Sequence, residues 1–242
     1  MSDWAAKRFW SNVAIECRDA QYVILLDGRL VQTPAKTKLA VPTHAMAKAI
    51  AVEWDAQKDK IDPRTMPTTR SANAAIDKVT PQKAEVAALI AAYGEDDFLC
   101  YRAPAPQELI ERQKEAWDPI LAWAAEVLDA PLLTVEGVMH VEQPANSVIN
   151  LTALVTAQTP FELAALHDLV SMSGSLVIGL AAQAGAFDND DLWVRSRLDE
   201  LWQIEHWGQD DGKVYQDFQM LMQREIGLVL MLMYVERLLL QY

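Results

Sequence analysis

The sequence predicts an α+β protein: a small, β-rich mixed N-terminal domain over residues 1–90, followed by a larger all-helical C-terminal domain over residues 91–242. Three observations carry this expectation. The first 42 residues read as short strands separated by turn signals, whereas from Thr43 onward the apolar spacing is helical. The 242-residue length fits two modest domains. The charge is also split, which suggests two regions with different surfaces without specifying their fold: residues 1–80 hold 12 Lys/Arg against 9 Asp/Glu, whereas 81–150 and 151–242 are each net −8.

Taken in order, Phe9 to Arg18 and Tyr22 to Asp27 flank a polar Asp19-Ala20 turn. Asp27-Gly28 is a hairpin signal, because Gly tolerates the positive φ of tight turns, and Leu30 to Thr33 then pairs back on Tyr22 to Leu26. Pro34 and Pro42 bracket a short strand over Lys38–Val41. Thr43 is placed to cap a helix with Ala47, Ile50, Ala51 and Trp54 on one apolar face. The charged, proline-punctuated stretch Gln57 to Thr69 reads as a loop. Helix is expected again from about Ser71, and once more after Thr80-Pro81, a cap followed by proline at the first helical position. Phe98 to Arg102 is a candidate strand. Glu108 to Leu128 is helical, with Pro119 expected to kink or split it. After an irregular or briefly extended stretch over 130–143, helices are expected at roughly 145–157, 160–185, 189–207 and 213–240.

Composition excludes several classes of function. With 51% hydrophobic and 23% charged residues the chain is an ordinary globular protein. A net charge of −13 and a pI near 4.7 argue against nucleic acid and anionic lipid as partners. The two cysteines, Cys17 and Cys100, are far apart and cannot make a structural zinc site. No secretory signal or import leader is visible at Met1-Ser2-Asp3-Trp4, so a cytoplasmic location is expected, or a mature form already stripped of its leader. The uncharged run 169–187 is interspersed with Ser, Gly, Ala and Gln, and Ile226 to Val235 is short. Both suit buried helices better than membrane spans, so no membrane insertion is expected.

Chemistry-bearing patterns are sparse. His44, His140, His167 and His206 stand in no metal-ligand spacing, so no metal is expected and each His is read as surface or core. Ser171-Met172-Ser173-Gly174-Ser175 lacks the first glycine and the strand-turn-helix setting of a nucleophile elbow, and reads as small residues between close helices. No phosphate-cradling glycine loop occurs. Asp188 to Asp191 reads as the acidic cap of the following helix. The densest polar-aromatic cluster lies at 198–211. On a helix it puts Leu198, Leu201, Trp202 and Glu205 on one face and Asp199, Gln203 and His206 on the next, with Gly208 as a natural end. Aromatic anchors beside directed charges suit partner recognition, the alternative being a solvated helix face with core tryptophans.

An ordered set of short motifs then carries a family resemblance. It comprises Arg8-Phe9-Trp10, Leu26-Asp27-Gly28-Arg29-Leu30-Val31-Gln32-Thr33-Pro34-Ala35-Lys36, Glu53-Trp54-Asp55-Ala56-Gln57, Ile61-Asp62-Pro63 through Met66-Pro67, and Ala72 to Asp77. Later come Asp97 to Ala103, Arg112-Gln113, Trp117-Asp118-Pro119, Ser173-Gly174-Ser175 and Gln203 to Gly208. From about residue 8 to residue 210 the chain resembles the assembly chaperone of the F-type ATP synthase that handles the alpha subunit of its catalytic head.

The resemblance implies a non-enzymatic chaperone with no cofactor and no obligate small-molecule ligand. Such a protein binds the free alpha subunit and prevents its aggregation until it joins beta. The absence of a leader suggests a bacterial member. In the family an acidic residue in the C-terminal helix matters, a role carried here to Glu200, with Asp199 and Glu205 as neighbours. Trp202 and Trp207 are candidate anchors. After Trp207-Gly208 the chain departs from the longer acidic pattern of mitochondrial members, at Asp210 and Asp211. Two alternatives stay open: a small-molecule enzyme with an interdomain pocket, and a general holdase without a single client.

Overall fold

The computed structural model describes residues 7–207. The chain is α+β and mostly helical, and it divides into two compact units. Within the described residues, one contains 7–83 together with Pro160–Ala164, and the other contains Ala84–Thr159 and 165–207.

In the first unit, β1 (Val13–Arg18), β2 (Gln21–Leu26), β3 (Arg29–Leu30) and β4 (Ala40–Val41) form a four-stranded antiparallel sheet in which β2 is central. Both hairpin turns hold two residues of positive φ, Asp19-Ala20 at 54° and 58° and Asp27-Gly28 at 46° and 78°. That geometry matches the right-handed twist of the flanking strands. Strands β1, β3 and β4 are shorter than the sequence predicts, and β2 keeps its six residues. Before β1, the Asp27 carboxylate accepts the N–H groups of Ser11 and Asn12, so this stretch is a braced lead-in. Alternation along β2 sends Ile24 and Leu26 into a core with Trp10, Val31, Leu39, Met46 and Ile50. Helix α1 (His44–Asp55) lies over this core, capped by Thr43 as expected, with Thr43 Oγ1 accepting the Met46 N–H at 3.2 Å.

The expected loop after α1 is partly helical. A 3₁₀ turn covers Pro63–Thr65, and α2 (Pro67–Ala74) starts four residues before the anticipated Ser71. The cause is tertiary. Glu53 of α1, 8% exposed, accepts the N–H groups of Thr68 and Thr69 at 2.6 and 2.8 Å and the Thr69 hydroxyl at 2.7 Å. This cap comes from another helix, so no local pattern announces it. Thr80 is not a cap either. The helical path runs on through a π segment, Ala75–Val79, and a 3₁₀ turn, Thr80–Gln82, into α3 (Lys83–Ala91), with Thr80 Oγ1 donating to the Ala75 carbonyl.

The second unit is not all-helical, which corrects the expectation. After a 3₁₀ turn at Phe98–Cys100, β5 (Tyr101–Arg102) pairs in parallel with β6 (Val135–Glu136). The other described elements of the unit are helical: α3 from Ala84 onward, a 3₁₀ turn at Ala92–Gly94, α4 (Gln107–Val127), α5 (Ala145–Thr156), α6 (Pro160–Ser173, whose first turn counts with the first unit), α7 (Leu176–Ala184), α8 (Asn189–Ser196) and α9 (Leu198–Trp207). Pro119 does not split α4. Trp117, Ile120, Leu121 and Ala124 are buried around it, and that burial outweighs one missing backbone hydrogen bond. The stretch expected as one helix over 160–185 breaks at Gly174, whose φ is +74°, and Ser175 then caps α7 by accepting the Ile178 N–H. The stretch 189–207 breaks at Arg197. Among the described residues, no helix is long and apolar enough to cross a membrane. The helix expected over 213–240, with Gly208, Asp210 and Asp211, lies outside the described residues.

Candidate functional site

The polar-aromatic cluster is built on α9 and held by α4 and α8. Gln113 of α4 is 2% exposed and works in both directions: its Oε1 accepts the Ala103 N–H at 2.8 Å, and its Nε2 donates to Asp199 at 2.7 Å. One residue earlier, Arg112 pairs with Glu205 at 2.7 Å and with Glu108 at 3.1 Å, and its guanidinium lies 4.7 Å from the Trp202 ring centre. The bond from Glu205 holds Arg112 more firmly charged than usual. On α8, Arg195 pairs with Asp191 at 2.8 Å and donates to the Ala116 carbonyl at 2.7 Å. The Trp117 indole N–H returns a bond to the Arg195 carbonyl at 2.9 Å.

Between these helices lies an open groove of about 360 Å³. Its floor is apolar, formed by Ala116, Val194, Leu198, Leu201 and Trp202. Its walls carry the Arg112–Glu205 and Asp191–Arg195 pairs together with Glu115. Leu198, Leu201, Trp202 and Glu205 thus share one face, the grouping expected from helical spacing.

The five residues singled out in the sequence are distributed unevenly. Glu205 stands exposed on the groove wall. Trp202 is 4% exposed, sandwiched by Arg112 and by His206, whose ring stacks on it at 4.0 Å. Its ring therefore packs the floor and is not a protruding anchor. Asp199 is committed to Gln113. Glu200 lies on another flank of α9, bonded to Arg197 at 2.9 Å, with its side chain 45% exposed. Arg197 in turn donates to the Met172 carbonyl and lies over the Trp193 ring. Trp207 ends α9, and its side chain lies outside the described residues.

Many of the polar residues in the resembling motifs brace the fold. Asp97 is fully buried and joins two of those motifs. Its carboxylate accepts the Ser175 hydroxyl at 2.9 Å and the Val177 and Leu99 N–H groups at 3.0 and 3.1 Å. Burial pushes its pKa up to about 6 despite those bonds. Phe98 stacks edge-on against Trp117 and lies 3.7 Å from where a side chain on Gly174 would begin. Arg102, 8% exposed, pairs with Asp118 at 2.8 Å. In the first unit, Asp77 accepts the Thr33 hydroxyl and the Ala35 N–H, and Gln57 ties the Glu53 carbonyl to Thr65 and Asp62.

Among the described residues there is no group of three His, Cys, Asp or Glu able to hold a metal ion. Burial, with Asp97 nearby, pushes the Cys100 thiol up to about 12. Sequence reasoning missed Glu115, Val194 and Arg195. Their only advance signal was helical spacing on α4 and α8, because which faces meet is a tertiary matter.

Comparison with known proteins places this arrangement. The sequence profile of the family described as ATP12 chaperone protein matches residues 7–125. The structure is similar to the crystal structure of Atp12 from Paracoccus denitrificans, with a TM-score of 0.89 and 45% identity, covering 94% of this chain and 98% of that one. It is similarly close to an Asp-to-Lys variant of the Paracoccus protein, with a TM-score of 0.87 and 44% identity over 93% of this chain and 98% of that one. A more distant relative is the mitochondrial protein atp12 of Schizosaccharomyces pombe. It is 25% identical over 214 residues, which is 84% of this chain and 74% of that one.

Proposed function

The chain belongs to the ATP12 chaperone protein family, and from that premise we propose that it is an assembly chaperone of the F-type ATP synthase. Its client is the free alpha subunit of the catalytic head, which it keeps from aggregating until alpha pairs with beta. The observation that carries the reading is the near full-length likeness to the Paracoccus protein. The bonds that join the resembling motifs inside each unit support it. Catalysis, a resident cofactor and a metal have no part in this role, and its setting is the bacterial cytoplasm.

The physical logic is mass action. An unassembled subunit exposes apolar surface that its neighbours later bury, and such surface aggregates. A protein that covers it lowers the concentration of the sticky species, and it must also release it. Release favours a contact of moderate area steered by charge. The acidic flank of α9 supplies that charge: the carboxylates of Glu200, beside Arg197, and of Glu205, beside Arg112, are about half exposed and steer an incoming cation. Asp199 sets the position of α9 through Gln113, Trp202 is the packed floor beneath, and Trp207 closes the helix.

The test is capture, at moderate salt, of separately expressed alpha and beta subunits by the purified chain and by its Glu200→Lys variant, once circular dichroism shows that the variant folds. Selective capture of alpha, weakened in the variant, is expected. Equal capture of alpha, beta and unrelated aggregating proteins would replace this reading by a general holdase. No capture of alpha would overturn it.

A further inference from the structure

The groove between α4, α8 and α9 has a chemistry that selects its occupant. Val194 on its floor is 53% exposed although it stands among apolar neighbours, so this surface gains by being covered. The volume, about 360 Å³, is at the small end of the range of small-ligand pockets, room for one or two large side chains and not for a folded surface.

The charges on the walls are not balanced. Both cations are already committed: Arg112 to Glu205, Glu108 and the Trp202 face, and Arg195 to Asp191 and the Ala116 carbonyl. Glu115, exposed on the same wall, has no ion-pair partner among the described residues. The groove therefore presents an apolar floor with one uncompensated carboxylate at its edge. An anionic metabolite meets two guanidinium groups already paired with carboxylates, and three lining carboxylates against two cations. A second copy of a chain carrying −13 is repelled, not drawn in.

We infer that this groove seats an amphipathic basic segment of the client, with a large apolar side chain on Val194, Leu198 and Leu201 and a neighbouring Lys or Arg paired with Glu115. The inference rests on the client-binding reading above and names the chemistry that reading requires. A helix offering apolar residues at i, i+3 and i+4 with a flanking cation meets both demands at once. The two ion pairs hold the walls in place beforehand, so little ordering is needed on binding.

The test uses a fluorescent synthetic peptide of about 18 residues, with Leu at helical a and d spacing and Lys on the flanks. Its twin carries Glu in place of Lys. Binding is read by anisotropy against the full chain and against Val194→Arg and Glu115→Lys, both at exposed positions, with folding checked by circular dichroism. The basic peptide is expected to bind the unaltered chain and to lose about tenfold or more in affinity on each variant, with the acidic twin weaker by a similar factor. Absence of binding by the basic peptide, or equal binding by the variants, overturns the inference. Capture of alpha by the same variants separates the two readings. Alpha held equally by the unaltered chain and both variants overturns the groove and leaves the client. Alpha not captured at all, with the peptide pattern intact, overturns the client and leaves the groove chemistry.

Discussion

Replacing Asp97 by Asn should change how the stability of the protein responds to pH. The Asp97 carboxylate is buried at the start of α7, bonded to Ser175, Val177 and Leu99, and has a pKa of about 6. In the unfolded chain the same group titrates near ~3.9. Between those values the native state binds more protons than the unfolded state, so stability falls as pH rises. The contribution is therefore fully present at low pH and lost as pH rises through about 6, opposite to a salt-bridged carboxylate. Two units at about 1.36 kcal/mol each give a ceiling near 3 kcal/mol, of which roughly 2 kcal/mol falls between about pH 4 and pH 7.5. Asn keeps the size and one acceptor and cannot ionise. Urea denaturation of both proteins, followed by tryptophan fluorescence, gives the stability difference at each pH. Contributions from the other carboxylates cancel in that difference. The advantage of the unaltered chain over Asp97→Asn should shrink by roughly 2 kcal/mol from pH 4 to pH 7.5. A difference that is flat, or that grows with pH, would refute the assignment of a raised pKa to this carboxylate.

Three further outcomes follow from the packing. Glu53→Ala leaves the Thr68 and Thr69 N–H groups buried without a partner, and chemical denaturation should show a loss of about 3 kcal/mol or more. Gly179→Ala would place a methyl group 2.9 Å from both Leu166 and Val170, so the thermal midpoint should fall, with a cost of about 1–3 kcal/mol despite the better helix propensity of alanine. The Tyr101 phenol donates to Asp96, which pushes its pKa up to about 12; ultraviolet titration should find a late-ionising tyrosine that is lost to the ordinary range in Asp96→Asn.

The candidate site was half legible in the sequence. The grouping of Leu198, Leu201, Trp202 and Glu205 on one face follows from a 3.6-residue period, and the structure keeps it. The same spacing put Asp199 beside Gln203 and His206 but was silent on Gln113, its actual partner 86 positions away. Nor does spacing distinguish a buried tryptophan from an exposed one, and Trp202 is buried because α4 lays Arg112 across it.

What the sequence by itself determined were features that local chemistry settles: the two hairpin turns, the Thr43 cap, the α+β composition, and the motif order that names the family. The turns and the cap depend on backbone sterics and on neighbours within about four residues, which any segment carries with it, whereas the motif order is read along the stretch from residue 8 to residue 210. What only the tertiary structure decided was where helices begin and end when a distant side chain caps them. Glu53 starts α2, and Asp97 fastens Ser175 at the head of α7. It also decided which charges lining the groove cancel and that Glu115 is left over among them. The physical reason is the same in each case. A buried hydrogen bond or an ion pair is fixed by the positions of two groups in space, and a one-dimensional pattern records only one of them at a time.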